Sequence, residues 1–348
     1  MSLPEPAAPG KPISRWGLYI PLGLLALFVV GLSAGWLWMR GQALAQMDNS
    51  VAALKRAGFE ISWQDRQLGG YPFRLNITLT EVTIRERSGW GLEAPRMEAQ
   101  AFLHAPTQWL VAAPDGLTFV RPVAGPVRLT GKLIRASLSR LNDKPPNLSF
   151  EGVDLTFEPG PGAQPFSLSS AARLEMHLRR GPDDEGGVWL NLKQGRAQLS
   201  GLLGRIAGEQ PISAEWDGRL SHISAMTGRD WPSSVRAWTA AGGRMSVKRG
   251  GLTAGQAVIG VSSGDLGVSA DGRVRGTLEL SLRQAPRALT ALGQSGAIPA
   301  DRAEAAAVVA AARQGSGEVA RAALTFQAGE TTLGPVALAP APRIYTPN

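Results

Sequence analysis

Cysteine is absent from the 348 residues, which excludes disulfides, thiolate metal sites and cysteine nucleophiles while leaving the compartment open. Histidine occurs only at His104, His177 and His222. These are far apart in the chain and none belongs to an H-E-x-x-H or comparable cluster, so neither a metal site nor any other cofactor is expected. Charged residues make up 18% and the apolar set 44%, a balance that fits neither a disordered chain nor a polytopic membrane protein. The formal charge is +8, but no basic block stands out; the densest groups are pairs such as Arg179-Arg180 and Lys248-Arg249. Without a clustered basic stripe or a recognition motif, nucleic acid is not an expected partner. A solvated basic surface, with at most mild attraction to anionic lipid, is the simpler reading.

What is present begins with one long apolar run. Trp16 to Met39 contains no charge, and at about 1.5 Å per residue such a run crosses a hydrocarbon core of roughly 30 Å as a helix. Trp16 and Tyr19 at one end, with Trp36 and Trp38 at the other, stand where amphipathic rings prefer the headgroup region. The rival is a cleaved signal peptide, since Ala43-Leu44-Ala45 fits the small-x-small pattern; the run is longer than an ordinary signal core, which favours retention. Lys11 and Arg15 precede the run while Arg40, Lys55 and Arg56 follow it, so charge hardly sets orientation. A short N-terminus inside and a long translocated domain is the economical topology. The expected organisation is a disordered cytoplasmic tail at 1–15, a transmembrane helix at 16–39, a helical connector at 40–58 and a β-rich extracytoplasmic body at 59–348, with a helical insertion near 286–313. Whether that body is one domain or two stays open. This topology puts the bulk of the chain on the far side of the membrane from its N-terminus.

Beyond the anchor the hydrophobic period changes. Leu44, Met47, Val51 and Leu54 lie near helical spacing, with Gly58 as a stop. Then Phe73, Leu75, Ile77 and Leu79 alternate with polar residues, and Val82 and Ile84 fall in the opposite phase, which calls for a bulge or turn near Glu81. Similar alternations run over 97–103, 127–133, 148–157, 166–178, 188–192 and 212–220, and Asp271-Gly272 reads as the hairpin turn of a β stretch over 255–282. Trp231-Pro232 opens a short helix stopped by Gly242-Gly243, and Pro286 to Leu292 with Ala300 to Arg313 read as a helix pair. The fold class is therefore mainly β, an extended or curved antiparallel sheet with a few helices, behind one N-terminal membrane helix.

Motifs that carry chemistry fail one by one. Gly260-Val261-Ser262-Ser263-Gly264 matches G-x-S-x-G, but a hairpin rather than a helix is expected next and no histidine follows His222. Asp183-Asp184-Glu185 lacks the alternating ligands of a calcium loop. Gly125 to Lys132 has one residue too many for a phosphate-binding loop, and Leu133 stands where a hydroxyl is needed. No catalytic, cofactor-binding or metal residue is assigned, and an enzyme is not expected; a hydrolase using Ser262 is the remote option.

The box Gly69-Gly70-Tyr71-Pro72-Phe73-Arg74, introduced by Ile61-Ser62-Trp63, resembles the hallmark of the bacterial domain-of-unknown-function family 2125. Ser263-Gly264-Asp265-Leu266, Asp271-Gly272-Arg273 and Thr332-Leu333-Gly334-Pro335-Val336 resemble the same family. The resemblance implies an envelope protein with a single membrane helix and supplies no catalytic residues. Read physically, the glycines of the box free a turn, Pro72 stiffens entry into the strand and Phe73 begins its apolar face. The chain is similar, more weakly, to membrane-anchored AsmA-like proteins, whose β-groove architecture suggests lipid handling. Two functions follow as expectations: binding of lipid or another amphiphile on an apolar sheet face, or a structural and assembly role toward other envelope proteins through sheet edges or the helices near 286–313.

Overall fold

The computed structural model describes residues 16–102, 104–141, 143, 145–197, 210–228, 230–254, 257–283, 299–314, 319–334 and 336–345. The expected N-terminal tail and the helix over 286–292 lie outside these residues. The first element, α1 (Trp16–Ala57), is one uninterrupted helix joining the apolar run to its polar continuation. It is long and apolar enough to cross a membrane by length and composition.

Its two halves meet different surroundings. Side chains such as Leu22, Leu27 and Phe28 have nothing packed over them. From Ser33 onward, one stripe rests on the sheet: Met39 is buried with Leu75 and Ile77, flanked by Trp36, Ala43 and Met47. The spacing of Trp36, Met39, Ala43 and Met47 keeps them on one face of the helix. At about 1.5 Å per residue, Ser33 to Ala57 measures roughly 36 Å, close to the length of a twelve-residue strand at about 3.3 Å per residue. The helix accordingly lies alongside β3 (Arg74–Arg85). Arg66 ties the far part down by pairing with Asp48 at 2.7 Å.

The described strands form one antiparallel sheet. β1 (Glu60–Ser62) and β2 (Asp65–Gly69) lie end to end on one edge of β3. β4 (Gly91–Phe102) lies on its other edge. β5 (Ala105–Ala112) and β6 (Leu117–Arg121) share the far edge of β4. They pair in turn with β8 (Leu133–Ser139) and β7 (Gly125–Thr130), which share an edge of β9 (Asn147–Pro159). From there the chain is a plain meander: β10 (Leu168–Arg180), β11 (Gly186–Ala197), β12 (Ile212–Leu220), β13 (Met245–Ala254), β14 (Ala257–Val268), β15 (Val274–Arg283), β16 (Val319–Gln327), β17 (Glu330–Leu333) and β18 (Val336–Pro340). Each pairs with its predecessor. The alternation over 127–133 is split between β7 and β8 at Gly131, where a Cβ would lie 2.8 Å from the Val153 carbonyl.

A crease crosses the long strands. Glu81, Asp154 and Gln194 have φ near +50°, a conformation costing about 1 kcal/mol for a residue with a Cβ. The register places Glu81 opposite Pro95, and Ala172 opposite both Asp154 and Gln194. At that same level β1 gives way to β2, β6 to β5 and β7 to β8. Each left-handed residue reverses the side-chain phase, so apolar residues stay on one face through the bend: Leu75 and Ile77 then Val82, or Phe150 and Gly152 then Leu155. The phase change in the sequence at Glu81 is this crease. Its inner side holds a core of Ala113, Leu129, Ile134, Leu155, Ala171, Leu192 and Ile212.

Helices close the other parts. α2 (Trp231–Ala240) starts on an Asp230–Ser233 capping box with Pro232 in its first turn. It buries Val235 and Trp238 with Ile223, Leu220 and Val268. α3 (Ala300–Gln314) packs on β16 and buries Ala303 and Ala306.

The crease makes a sharp demand on Gly152, where a Cβ would sit 2.5 Å from Leu155 Cδ1, and Leu155 is only 1% exposed. Gly152→Val should destabilise the chain by about 1–3 kcal/mol through overpacking, whereas Gly187→Ala, whose Cβ meets only the Arg179 carbonyl at 3.8 Å, should leave thermal unfolding nearly unchanged. Equal melting of the two variants would remove this account of the bend.

Candidate functional site

Residues directly opposite in an antiparallel pair share a face, so the registers can be followed from strand to strand. One such row runs Ile77, Ala99, Val111, Ala136, Phe150, Met176, Leu190, Trp216, Gly250, Val261, Leu280 and Ala322. A second, on the same face, runs Trp109, Leu138, Leu148, Leu178, Val188, Gly218, Val247, Gly264, Leu278, Leu324 and Leu333. A third links Ile134, Gly152, Leu174, Leu192, Ala214, Leu252 and Ile259. At about 4.8 Å between strands, the first row extends roughly 50 Å across the sheet. No charged residue interrupts any of the three.

The glycines in these rows make room. A Cβ at Gly218 or Gly250 would lie 3.1 Å from the Trp216 ring, so the indole lies over both positions. Where the phase would slip, bulges restore it: the register shifts between Asp217 and Gly218 on β12–β13, and between Val261 and Ser263 on β14–β15.

Coverage of this face is uneven. Leu75 and Ile77 are fully covered by α1, while Val247, Leu278 and Leu280 are buried in a cluster at the other end. Between them Leu138, Leu148, Leu178 and Leu190 are half-buried, and Met176 is 38% exposed. α1 packs on β1 and β3, α2 on the short 3-10 turn at Ile223–Ala225 and on β14, and α3 on β16. α1 and α3 therefore sit toward the ends of the apolar rows, while the cluster buried by α2 reaches Val188 in the second row.

The opposite face is ionic. The register Glu98, Ala112, Arg135, Glu151, Glu175, Asn191 and Glu215 alternates with the apolar rows. Arg173 bridges Glu151 at 2.6 Å and Glu175 at 2.8 Å, resolving the repulsion of two facing carboxylates. The Asn191 amide donates to Glu175 at 2.9 Å. That hydrogen bond, with help from Arg173, holds the Glu175 carboxyl below the usual carboxylate range.

The residues with chemical promise in the sequence are dispersed over structural tasks. Ser262 lies within β14 at its bulge, donating to the Glu279 carbonyl at 3.3 Å, and the chain continues as strand rather than turning into a helix. His104 stacks on Phe102 and His177 on Trp189, while His222, in a left-handed conformation, contacts Ser221. Among the described residues no group of three metal-ligating side chains comes together. Asp184, from the acidic trio, accepts from Ser224 N at 3.0 Å and Ser224 Oγ at 2.7 Å. These bonds lower its pKa and fasten the 3-10 turn. Glu185 pairs with Arg219. Gly125 to Thr130 is strand β7, and Lys132 pairs with Asp154 at the crease.

The glycine-proline box forms the β2–β3 turn, with Gly70 at φ +93° and Arg74 N donating to its carbonyl. Phe73, expected at the start of the strand's apolar face, stands just ahead of β3. Phe73 is 66% exposed, and burial begins at Leu75, because the helix stripe covers the strand only from that residue inward. Tyr71 Oη pairs with Ser33 Oγ at 2.7 Å, and Trp36 Nε1 donates to the Arg74 carbonyl at 2.9 Å. Sequence reasoning missed this contact between box and helix; the only signal was polar Ser33 within an otherwise apolar run.

The class defined by these features is a β-meander protein with an apolar sheet face and one long N-terminal helix. The chain belongs to the family described as "Uncharacterized protein conserved in bacteria (DUF2125)", whose model matches residues 36–342. The match starts at Trp36, where α1 meets the sheet. No curated protein and no solved structure matches the chain, and a likeness to AsmA-like proteins is not shown.

The ionic face sets an acid sensitivity. A carboxyl with a folded pKa below its unfolded value of about 4.3 contributes stability fully present above that value and lost as pH falls through the folded pKa. Thermal unfolding should therefore shift downward on acidification below about pH 4, and Glu175→Gln should flatten part of that dependence. An unchanged pH profile in the variant would show that Glu175 is not one of the groups responsible.

Proposed function

We propose that the chain is a single-pass, membrane-anchored protein of the bacterial envelope, held in the inner membrane by α1 with its sheet in the periplasm, and that the apolar sheet face binds lipid or another amphiphile. The observation that carries the reading is the uncharged registers, kept in phase across the sheet by bulges and glycines, the first two of which hold half-buried leucines and the exposed Met176 in their middle. An ordinary core would be covered along its length. An acyl chain laid along such a face gains about 0.8 kcal/mol for each methylene it removes from water. The ionic network on the opposite face keeps that side in solvent, giving the sheet one side for each phase.

Retention of the anchor has its own support. Cleavage after Ala45 would remove Trp36, Met39 and Ala43 and uncover Leu75 and Ile77, which are 0% and 5% exposed. This burial supports retention of the helix. No reaction forms part of this proposal.

The full-length protein in mild detergent should carry lipid through native mass spectrometry. Met176→Asp combined with Leu190→Asp should lower the bound fraction several-fold, and Asn191→Asp on the opposite face should leave it unchanged. Equal lipid occupancy in all three proteins would refute the assignment of the face.

A further inference from the structure

We infer that the turn at Gly70–Arg74 and the end of β4 lie in the headgroup region of the same bilayer that α1 crosses, with Tyr71, Phe73 and Phe102 forming an aromatic rim in the lipid interface. This rests on the reading of α1 as a membrane span and adds a second contact to it, made by the sheet itself.

The depth follows from the helix. A span starting at Trp16 needs about 20 residues to cross roughly 30 Å of hydrocarbon, which brings its far boundary to about Trp36. That is the level at which the sheet is fastened. Ser33 Oγ meets Tyr71 Oη at 2.7 Å, Trp36 Nε1 donates to the Arg74 carbonyl at 2.9 Å, and the Trp36 and Tyr71 rings meet edge to face at 5.5 Å. Arg74 is paired with Phe102 in the β3–β4 register, so the end of β4 lies at the same depth.

The side chains at this level suit an interface and not open water. Tyr71 is 54%, Phe73 66% and Phe102 51% exposed, an aromatic group gathered at the one level where the sheet is fastened to the helix. Trp38 on the helix is 65% exposed. Rings with an apolar body gain from the boundary between headgroups and acyl chains.

Charge agrees. Arg40 and Arg74 are both exposed, and α1 carries no acidic residue before Asp48, nor does the chain over 66–80 or 96–97 and 99–114. Cations without facing carboxylates are the complement of lipid phosphates.

Because the chain has no cysteine, single-cysteine variants report on one place each. Phe73→Cys, Phe102→Cys, Leu27→Cys and Ser88→Cys, labelled with the fluorophore NBD in the full chain, would be placed in phosphatidylcholine–phosphatidylglycerol nanodiscs with and without lipid bearing a nitroxide near the top of its acyl chain. Quenching should be several-fold stronger at positions 27, 73 and 102 than at 88, which lies beside the far end of α1. Quenching at 27 with positions 73 and 102 no different from 88 would overturn the rim and leave the span standing. No quenching at 27 would overturn both. A photoreactive benzoylphenylalanine at position 73 gives a second readout in cells: lipid adducts support the rim, and a discrete protein adduct in their place overturns it.

Discussion

Everything in this structure depends on the apolar side chains staying on one face of a sheet that bends. A strand's side chains alternate with period two, so a slip of one residue would carry an entire strand's apolar set into water. The chain meets this demand with local irregularities. Left-handed residues at Glu81, Asp154 and Gln194 reverse the phase where the sheet creases. Register shifts on β12–β13 and β14–β15 reset it further along. Glycines such as Gly152 and Gly218 leave space where Leu155 and Trp216 fold across their neighbours. The G-x-S-x-G segment on β14 is one of these devices, a bulge in the service of phase.

The same constraint explains why so much of the fold was readable and where reading stopped. Alternation over 74–80, the phase change near Glu81, the strand at 212–220 and the Asp271-Gly272 turn are local patterns, and each has a local physical cause. Pairing is not local. Nothing in a single strand states that β6 and β5 share one edge of β4, or that β7 and β8 share one edge of β9. Nor does the acidic trio state that Asp184 will meet Ser224, forty residues later. The exposure of Phe73 could not be foreseen from its place in an alternating run, because it is set by where α1 crosses the strand. In α1 itself, uniform hydrophobicity before Arg40 hides Trp36 and Met39, where the stripe that touches the sheet begins before continuing to Ala43 and Met47.

The candidate site was legible as a property and not as a place. The sequence shows many one-sided strands, and one-sidedness is equally what a covered core requires. Only the registers show that the apolar sides join into rows running across the sheet, with half-buried residues between more fully covered ones. Helix and sheet are also less separable than a division into anchor, connector and body suggests. α1 continues without a break to Ala57, and its second half is part of the sheet's cover.

Adjacent residues on β11 face opposite ways, which allows the central claim to be examined within one turn of the pleat. Benzoylphenylalanine placed at Leu190 and, separately, at Asn191 of the full chain, and irradiated in intact cells, should give lipid adducts at 190 and not at 191. Protein adducts alone at 190, or lipid adducts of equal yield at both positions, would contradict an apolar face that receives lipid.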